Sequence, residues 1–443
     1  MRMAGTEETF VIRGGTALHG EIAIHGSKNA ATKALVATLL TAEPCVIDNV
    51  PFSDDVGITR ELCERIGSSV VCGDDHSCTI ATSEIRETSV LRLSRRNRIP
   101  ILAMGPLLAR RGEAEVPFLG GDPIGHRPID FHLEALTRMG AVIERRAHSY
   151  FATTRRLTGA DIRFPFPSVG ATESVLLAAV LADGVTRIEN AAMEPEVQNL
   201  IGMLTAMGAR IAYEPAARYL EITGVTRLSG ARHRVIPDRN EIVSFAIAAL
   251  ATGGDLVLRG AEAVPLAAFA EALDQMGGRI TEEEGGLRVA PGGAWRSISV
   301  ETAPHPGFMT DWQQPLAVLL TQARGTSILH ETVYEDRLGY LKDLGRMGAR
   351  VAVSDECPEG RPCRFASRTF NHTARITGPA ALRGVATTIT DIRAGMAHVI
   401  AALSAAGESV ISGVSHIDRG YEKLDERLRA LGANIRRIKH KTQ

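Results

Sequence analysis

The chain has 443 residues, 44% hydrophobic and 23% charged, with a net charge of −1. That length is enough for two or more domains with real cores, and the near-neutral balance argues against bulk-charge binding to nucleic acid or a membrane surface. No apolar run reaches the ~18 residues of a membrane span, and the polar, acidic stretch Met1 to Phe10 is unlike a secretion signal, so a cytoplasmic protein is expected.

Two short strand-like runs, Phe10 to Arg13 and Glu21 to Ile24, flank turn glycines Gly14 and Gly15. Then Gly26-Ser27-Lys28-Asn29 opens an apolar helix that runs to Leu40. The N–H groups at a helix start are unpaired and partly positive, so a lysine there makes an anion site. The unit recurs. Helix tails end at Gly67, Gly140, Gly208, Gly277, Gly348 and Gly432, each fitting a left-handed C′ position, and each is followed by a β-branched residue: Val70, Ile143, Ile211, Ile280, Val351 and Ile435. The period is about 70 residues. Six such units could build a solenoid, but a grouping of three and three suits domain sizes better.

The six long apolar helices begin near Lys28, Arg98, Ser168, Asp238, Asp311 and Asp391, where the chain keeps its unusual polar residues. Ser and Asp are good N-caps, which explains four of the six without any ligand. Lys28 and Arg98 are poor caps and oppose the helix dipole unless an anion sits there. With three such helix starts aimed one way in each domain and the two sets opposed across a cleft, a multiply anionic ligand would be held.

Other stations follow in order. Arg92, Arg95, Arg96 and Arg98 precede a helix with Pro100 in its first turn. The glycine- and proline-rich stretch from Leu119 to His132 reads as a loop able to act as a lid, carrying Asp122, Arg127 and Asp130. A carboxyl group there could move a proton while Arg127 grips phosphate two-pronged, although a surface turn with a salt bridge is the simpler reading of these residues alone. His126 and His132 read as orienting or packing residues. The six cysteines (Cys45, Cys63, Cys72, Cys78, Cys357 and Cys363) contain no C-x-x-C pair, so they read as reduced bystander thiols and not as disulfides or zinc ligands.

These motifs, from Gly26-Ser-Lys-Asn-Ala through Gly120-Gly-Asp-Pro-Ile-Gly-His-Arg-Pro-Ile-Asp-Phe-His132, Phe166 to Glu173, Glu189 to Glu196, Pro306 to Asp311 and Asp391-Ile-Arg393 to His416-Ile-Asp-Arg-Gly-Tyr421, resemble an enolpyruvyl transferase family, the UDP-N-acetylglucosamine 1-carboxyvinyltransferases of bacterial cell-wall synthesis. The likeness runs from about Phe10 to Arg437. It implies an α/β protein of two inside-out α/β barrels, each made of three βαβαββ repeats. One domain would span 28–236, with a mobile loop near 119–130, and the other 1–27 plus 237–443. It also implies transfer of the enolpyruvyl group of phosphoenolpyruvate to the 3′-hydroxyl of UDP-N-acetylglucosamine, with release of phosphate. No cofactor, metal, nucleic acid or membrane partner is implied, and the oligomeric state stays open.

Carried over by position, Asp122, Asp311, Lys28 and Arg419 would be catalytic. Lys28, Arg127 and Arg419 would hold the anionic groups of phosphoenolpyruvate, assisted by Arg337 and Arg393. Asn29, Arg98, Arg127, Pro128, Ile129, Asp130, Phe131, Ser168, Val169, Gly170, Val333 and Asp391 would complete the substrate contacts, and Asp311 would take the hydroxyl proton. Asp122 stands where most of the family has cysteine. A buried carboxyl can still donate a proton, but it is a poorer nucleophile than a thiolate, so activity is expected with insensitivity to fosfomycin. Lys33 and the segment Asn240 to Ser244 also depart from the family pattern. A relative acting on UMP or, less readily, shikimate 3-phosphate, and a non-enzymatic sugar-nucleotide regulator, are the alternatives.

Overall fold

A computed structural model of the chain describes residues 7–93, 97–121, 125, 128–335, 337–358 and 363–440. The chain divides into two compact units: one holds the described residues of His25–Gly121 and Arg127–Pro237, the other those of Met1–Ile24 and Asp238–Gln443.

Six small sheets repeat one plan. In the first unit, Cys45–Asp48 lies between a parallel edge strand, Arg232–Arg234, and the antiparallel Cys78–Ala81, with Ser69–Cys72 outermost. Val185–Glu189 stands likewise between parallel Asp161–Arg163 and antiparallel Tyr219–Thr223. The sheet of Glu113–Pro117, Ser149–Thr153 and Val142–Arg145 has three strands, with the parallel neighbour reduced to a bridge between Ser89 and Glu115. The second unit repeats the plan around Asp255–Arg259, Gly325–His330 and Glu408–Ser412. Glu7–Arg13 completes its last sheet, pairing antiparallel with both Glu408–Ser412 and Asn434–His440.

The helices that precede the middle strands are apolar all round, and a helix with no polar face belongs in an interior. All thirteen residues of Arg239–Ala251 are buried, as are all eight of Gln313–Leu320 and all but Ser404 of Ile392–Ser404. These three pack against one another at the centre of their unit, and the sheets lie outside them. Lys28–Ala37, Met104–Arg111 and Val169–Ala179 fill the same places in the other unit. This is the inside-out α/β arrangement that the family resemblance implied. All six helix-terminating glycines have positive φ, from 92° at Gly140 to 128° at Gly67, and every β-branched residue named with them lies in a strand.

One expectation about cysteine needs correction. Cys72 and Cys78 are bonded to each other, because the hairpin sets them directly opposite with Cα atoms 4.0 Å apart. Cys357 and Cys363 are free thiols, as expected, and they converge with His330 and His372.

Phe245, fully buried in the middle of Arg239–Ala251 and covered by the Arg427 guanidinium 4.7 Å from its ring, offers a test of the helical centre. Phe245→Ala should cost about 3–5 kcal/mol in chemical denaturation of the full chain; a loss near zero would contradict close packing there.

Candidate active site

In the first unit the polar residues gather at the starts of the three central helices. Ser27, not Lys28, caps the first of them: its Oγ accepts from Ala30 N at 3.4 Å. Lys28 is thereby left in the first turn, where its Nζ donates to Asp55 Oδ2 at 3.1 Å. Asn97 reaches the other Asp55 oxygen at 3.5 Å. Next along the chain, Arg98 precedes the 3₁₀ turn Ile99–Ala103 that leads into Met104–Arg111. Burial, and then the charge of Arg98, push His132 down to about 3, so this imidazole is neutral at ordinary pH. It lies against Gly170, where an added Cβ would stand 2.9 Å from Nε2. Ser168 caps the third helix, accepting from Ala171 N at 3.4 Å. Lys28, Asp55, Asn97, Arg98, His132 and Gly170 thus form a connected strip.

Of the neighbouring expected contacts, Ile129 is buried, Pro128 and Asp130 are exposed, and the Phe131 ring lies 6.0 Å from Phe164. Asp122, His126 and Arg127 lie outside the described residues.

The departure at Lys33 has a local explanation. Its Nζ sits 3.5 Å from Glu173 Oε2, a carboxylate 1% exposed. Burial raises Glu173 to about 7 in spite of Lys33, helped by Glu196 and Glu194.

The second unit gathers its charges the same way. Asp238 and Asp391 are true caps: Asp238 accepts from Asn240 N at 2.8 Å, and Asp391 Oδ1 from Arg393 N and Ala394 N, both at 2.9 Å. Asp311 is not a cap. It sits in the 3₁₀ turn Thr310–Trp312, and its two oxygens take Arg337 Nη2 and Arg393 Nε, the latter at 3.0 Å. Arg337 Nη1 is 3.8 Å from Asp391 Oδ1. Burial opposes the charge on Arg337, yet Asp311, Asp391 and Glu331 raise it above the usual arginine value. Arg393 is held protonated in the same way, burial being outweighed by Tyr421 and Asp311. Arg419 is 5% exposed, and its neighbour Tyr421 accepts from Arg393 Nη1 at 3.0 Å.

Several side chains that shape these groups had no role assigned from sequence. Asp55 anchors Lys28. Ser244 hydrogen-bonds Tyr421 at 2.7 Å, so the altered segment Asn240 to Ser244 supports the Arg393 group. Glu331, fully buried, accepts from Thr310 Oγ1 (2.8 Å), Gln313 Nε2 (3.2 Å), Val333 N (2.7 Å) and Tyr334 N (3.0 Å), fixing the segment that carries Val333. A carboxylate two residues before Val333 in a turn was the available signal.

Residues 12–428 match the family EPSP synthase (3-phosphoshikimate 1-carboxyvinyltransferase). The chain belongs to this family of carboxyvinyl transferases. The UDP-N-acetylglucosamine 1-carboxyvinyltransferase of Protochlamydia amoebophila (strain UWE25) is 44% identical over 437 residues, covering 97% of this chain and 94% of that protein. The protein of the same name from Chlamydia abortus (strain DSM 27085 / S26/3) is 43% identical, covering 95% and 96%. In fold, the enolpyruvyl transferase NikO from Streptomyces tendae superposes with a TM-score of 0.85 at 24% identity, covering 98% of this chain and 100% of that one. An EPSP synthase from Acinetobacter baumannii reaches 0.73 at 20%, with 98% and 100% covered. Among the described residues no helix is long and apolar enough to cross a membrane.

The buried Glu173 gives a pH test. The folded chain holds its proton more tightly than an unfolded chain, whose value is 4.5. The stability tied to the protonated carboxyl is complete below about 4.5 and is lost as pH rises through about 7. Glu173→Gln keeps the neutral form, so its denaturation midpoint should fall less than the wild type's between about pH 5 and pH 8. An identical slope in the two proteins would contradict this.

Proposed function

We propose that this protein transfers the enolpyruvyl group of phosphoenolpyruvate to the 3′-hydroxyl of UDP-N-acetylglucosamine and releases phosphate, the first committed step of peptidoglycan precursor synthesis. What carries the reading is the Asp311–Arg337–Arg393 group at a core helix start, in a chain whose near-full-length relatives bear that enzyme's name. Both substrates are phosphorylated metabolites, so the proposed setting is the cytoplasm.

In this reading Lys28, Arg127 and Arg419 hold the phosphate and carboxylate of phosphoenolpyruvate, with Arg337 and Arg393 beside them. Asn29, Arg98, the run Arg127 to Phe131, Ser168, Val169, Gly170, Val333 and Asp391 hold the nucleotide sugar. Asp122 donates a proton to C3 of the enol phosphate, and the positive centre that develops at C2 is attacked by the sugar hydroxyl. Asp311 takes the hydroxyl proton. Elimination of phosphate with loss of a C3 proton then restores the double bond.

The ion network constrains how Asp311 can serve as a base. Both of its oxygens are engaged by guanidiniums, so a lone pair must be released before it can take a proton. An incoming anion that draws Arg337 or Arg393 towards itself frees a carboxylate oxygen at the moment it is needed. Once seated on the anion, such a guanidinium stabilises the charge that develops in the reaction, an effect worth several kcal/mol.

The test is phosphate release from phosphoenolpyruvate with UDP-N-acetylglucosamine, UMP or shikimate 3-phosphate as acceptor. Turnover should require the first; preference for UMP would overturn the acceptor assignment. Asp311→Asn and Arg393→Ala should each lower kcat by about 10²–10³-fold, and Asp122→Ala should be similarly impaired. Fosfomycin, an epoxide, should leave the enzyme active on prolonged incubation, and a covalent adduct on Asp122 would refute that expectation.

A further inference from the structure

Four side chains meet beside the sheet in which Gly325–His330 pairs with Thr373–Gly378. His330 closes that strand, and His372 lies just before its antiparallel partner, Thr373–Gly378. Cys357 and Cys363 come from the loop between Arg350–Ser354 and Thr373–Gly378. One donor atom from each of the four lies within 4.8 Å of the others. His372 Nε2 is 3.4 Å from Cys357 Sγ and 3.5 Å from Cys363 Sγ.

The surrounding hydrogen bonds fix the state of both rings. His372 Nδ1 is 3.0 Å from the Phe370 carbonyl, which can only accept; Nδ1 therefore carries the proton, and Nε2 turns a lone pair towards both sulfurs. A single lone pair can accept from one thiol only, whereas a cation can be shared by all. Thr373 Oγ1 donates its one proton to the Glu356 carbonyl at 2.6 Å, so it must accept from His330 Nδ1 at 2.9 Å. His330 is thus left with Nε2 as its basic nitrogen. Both imidazoles carry the outer hydrogen bond that metal-binding histidines use to set their tautomer. In addition, Phe365 N–H donates to Cys363 Sγ at 3.3 Å, a bond that favours a thiolate.

We propose that His330, Cys357, Cys363 and His372 bind one zinc ion in tetrahedral Cys₂His₂ coordination and staple the loop after Ser354 to the sheet. The dimensions agree. Bonds of about 2.3 Å to sulfur and about 2.0 Å to nitrogen place tetrahedral ligand atoms about 3.5 Å apart, as the two sulfur–nitrogen separations are. Two thiolates neutralise the ion, which suits a site where His330 and His372 are fully buried and the rings of Phe365 and Phe370 stand 5.7 and 5.8 Å from His372. Four protein ligands leave no open position, so the site is structural and not catalytic. Binding releases the two thiol protons. Its effect reaches the substrate segment by short links. The His372 carbonyl accepts from Glu331 N at 2.8 Å, and Arg364, beside Cys363, donates to the Val333 carbonyl at 3.1 Å.

The full-length protein, expressed with zinc and analysed by mass spectrometry, should carry about one zinc per chain. After chelation, cobalt(II) added alone should produce the visible bands of a tetrahedral ion and thiolate-to-cobalt charge transfer. Zinc should shield Cys357 and Cys363, and neither Cys45 nor Cys63, from alkylation in a way that a chelator reverses, a readout that needs no variant. Cys363→Ser should abolish the charge transfer from that sulfur, and Thr373→Val, which touches no metal, should weaken cobalt affinity by ~10-fold or more. Wild-type protein that takes up no stoichiometric zinc, cobalt bound equally well in Cys357→Ser/Cys363→Ser, or a Cys357–Cys363 disulfide that forms unhindered in the presence of zinc would each overturn the proposal.

Discussion

A helix enclosed on every side by packed residues can offer chemistry only at its ends, and both units are built around such helices. The thirteen residues of Arg239–Ala251 are all buried, so no polar side chain midway along it can reach a phosphate. Its start is different: the N–H groups there are unpaired by the helix itself, and whatever satisfies them lies at the unit's edge. The fold therefore decides where charge must accumulate before any substrate is considered.

Charges placed so close to a dry interior need partners, and the two units solve this differently. In the first, a single carboxylate, Asp55, takes Lys28 and Asn97. In the second, Asp311 engages two guanidiniums, and Arg337 also approaches Asp391. Removing one member of such a network leaves the others buried with unbalanced charge, which costs more than the pair's net worth. The arrangement keeps arginine planes fixed in direction, a condition for recognising phosphate and carboxylate groups two-pronged. Hydroxyls act as props: Ser244 steadies Tyr421, which in turn accepts from Arg393.

Much of this was legible in the residues because it is local. A glycine after a helical tail means a left-handed residue and a stop, and all six have positive φ. Ser168, Asp238 and Asp391 could be read as caps from their position before apolar runs. Asp311 could not be told from them by spacing, since its difference lies in Arg393, which arrives from a distant helix. Asp55 was silent for a similar reason: two acidic residues opening a helix satisfy the dipole in any protein. The convergence of Cys357 and Cys363 with His330 and His372 was not legible, because the usual metal patterns are read from closely paired ligands along the chain. Here the strand pairing of His330 with Thr373 places His330 near His372, and no local pattern encodes that register.

The strand Glu7–Arg13 lies between Glu408–Ser412 and Asn434–His440. A ribosome releases these three strands at opposite moments of synthesis. The first waits, unpaired, until the two strands beside it have emerged, while the unit holding His25–Gly121 and the residues up to Pro237 can condense long before. Vectorial synthesis thus imposes an order of assembly in which Glu7–Arg13 finds its place after the unit that follows it in the chain, and until then its unpaired edge is open to mispairing.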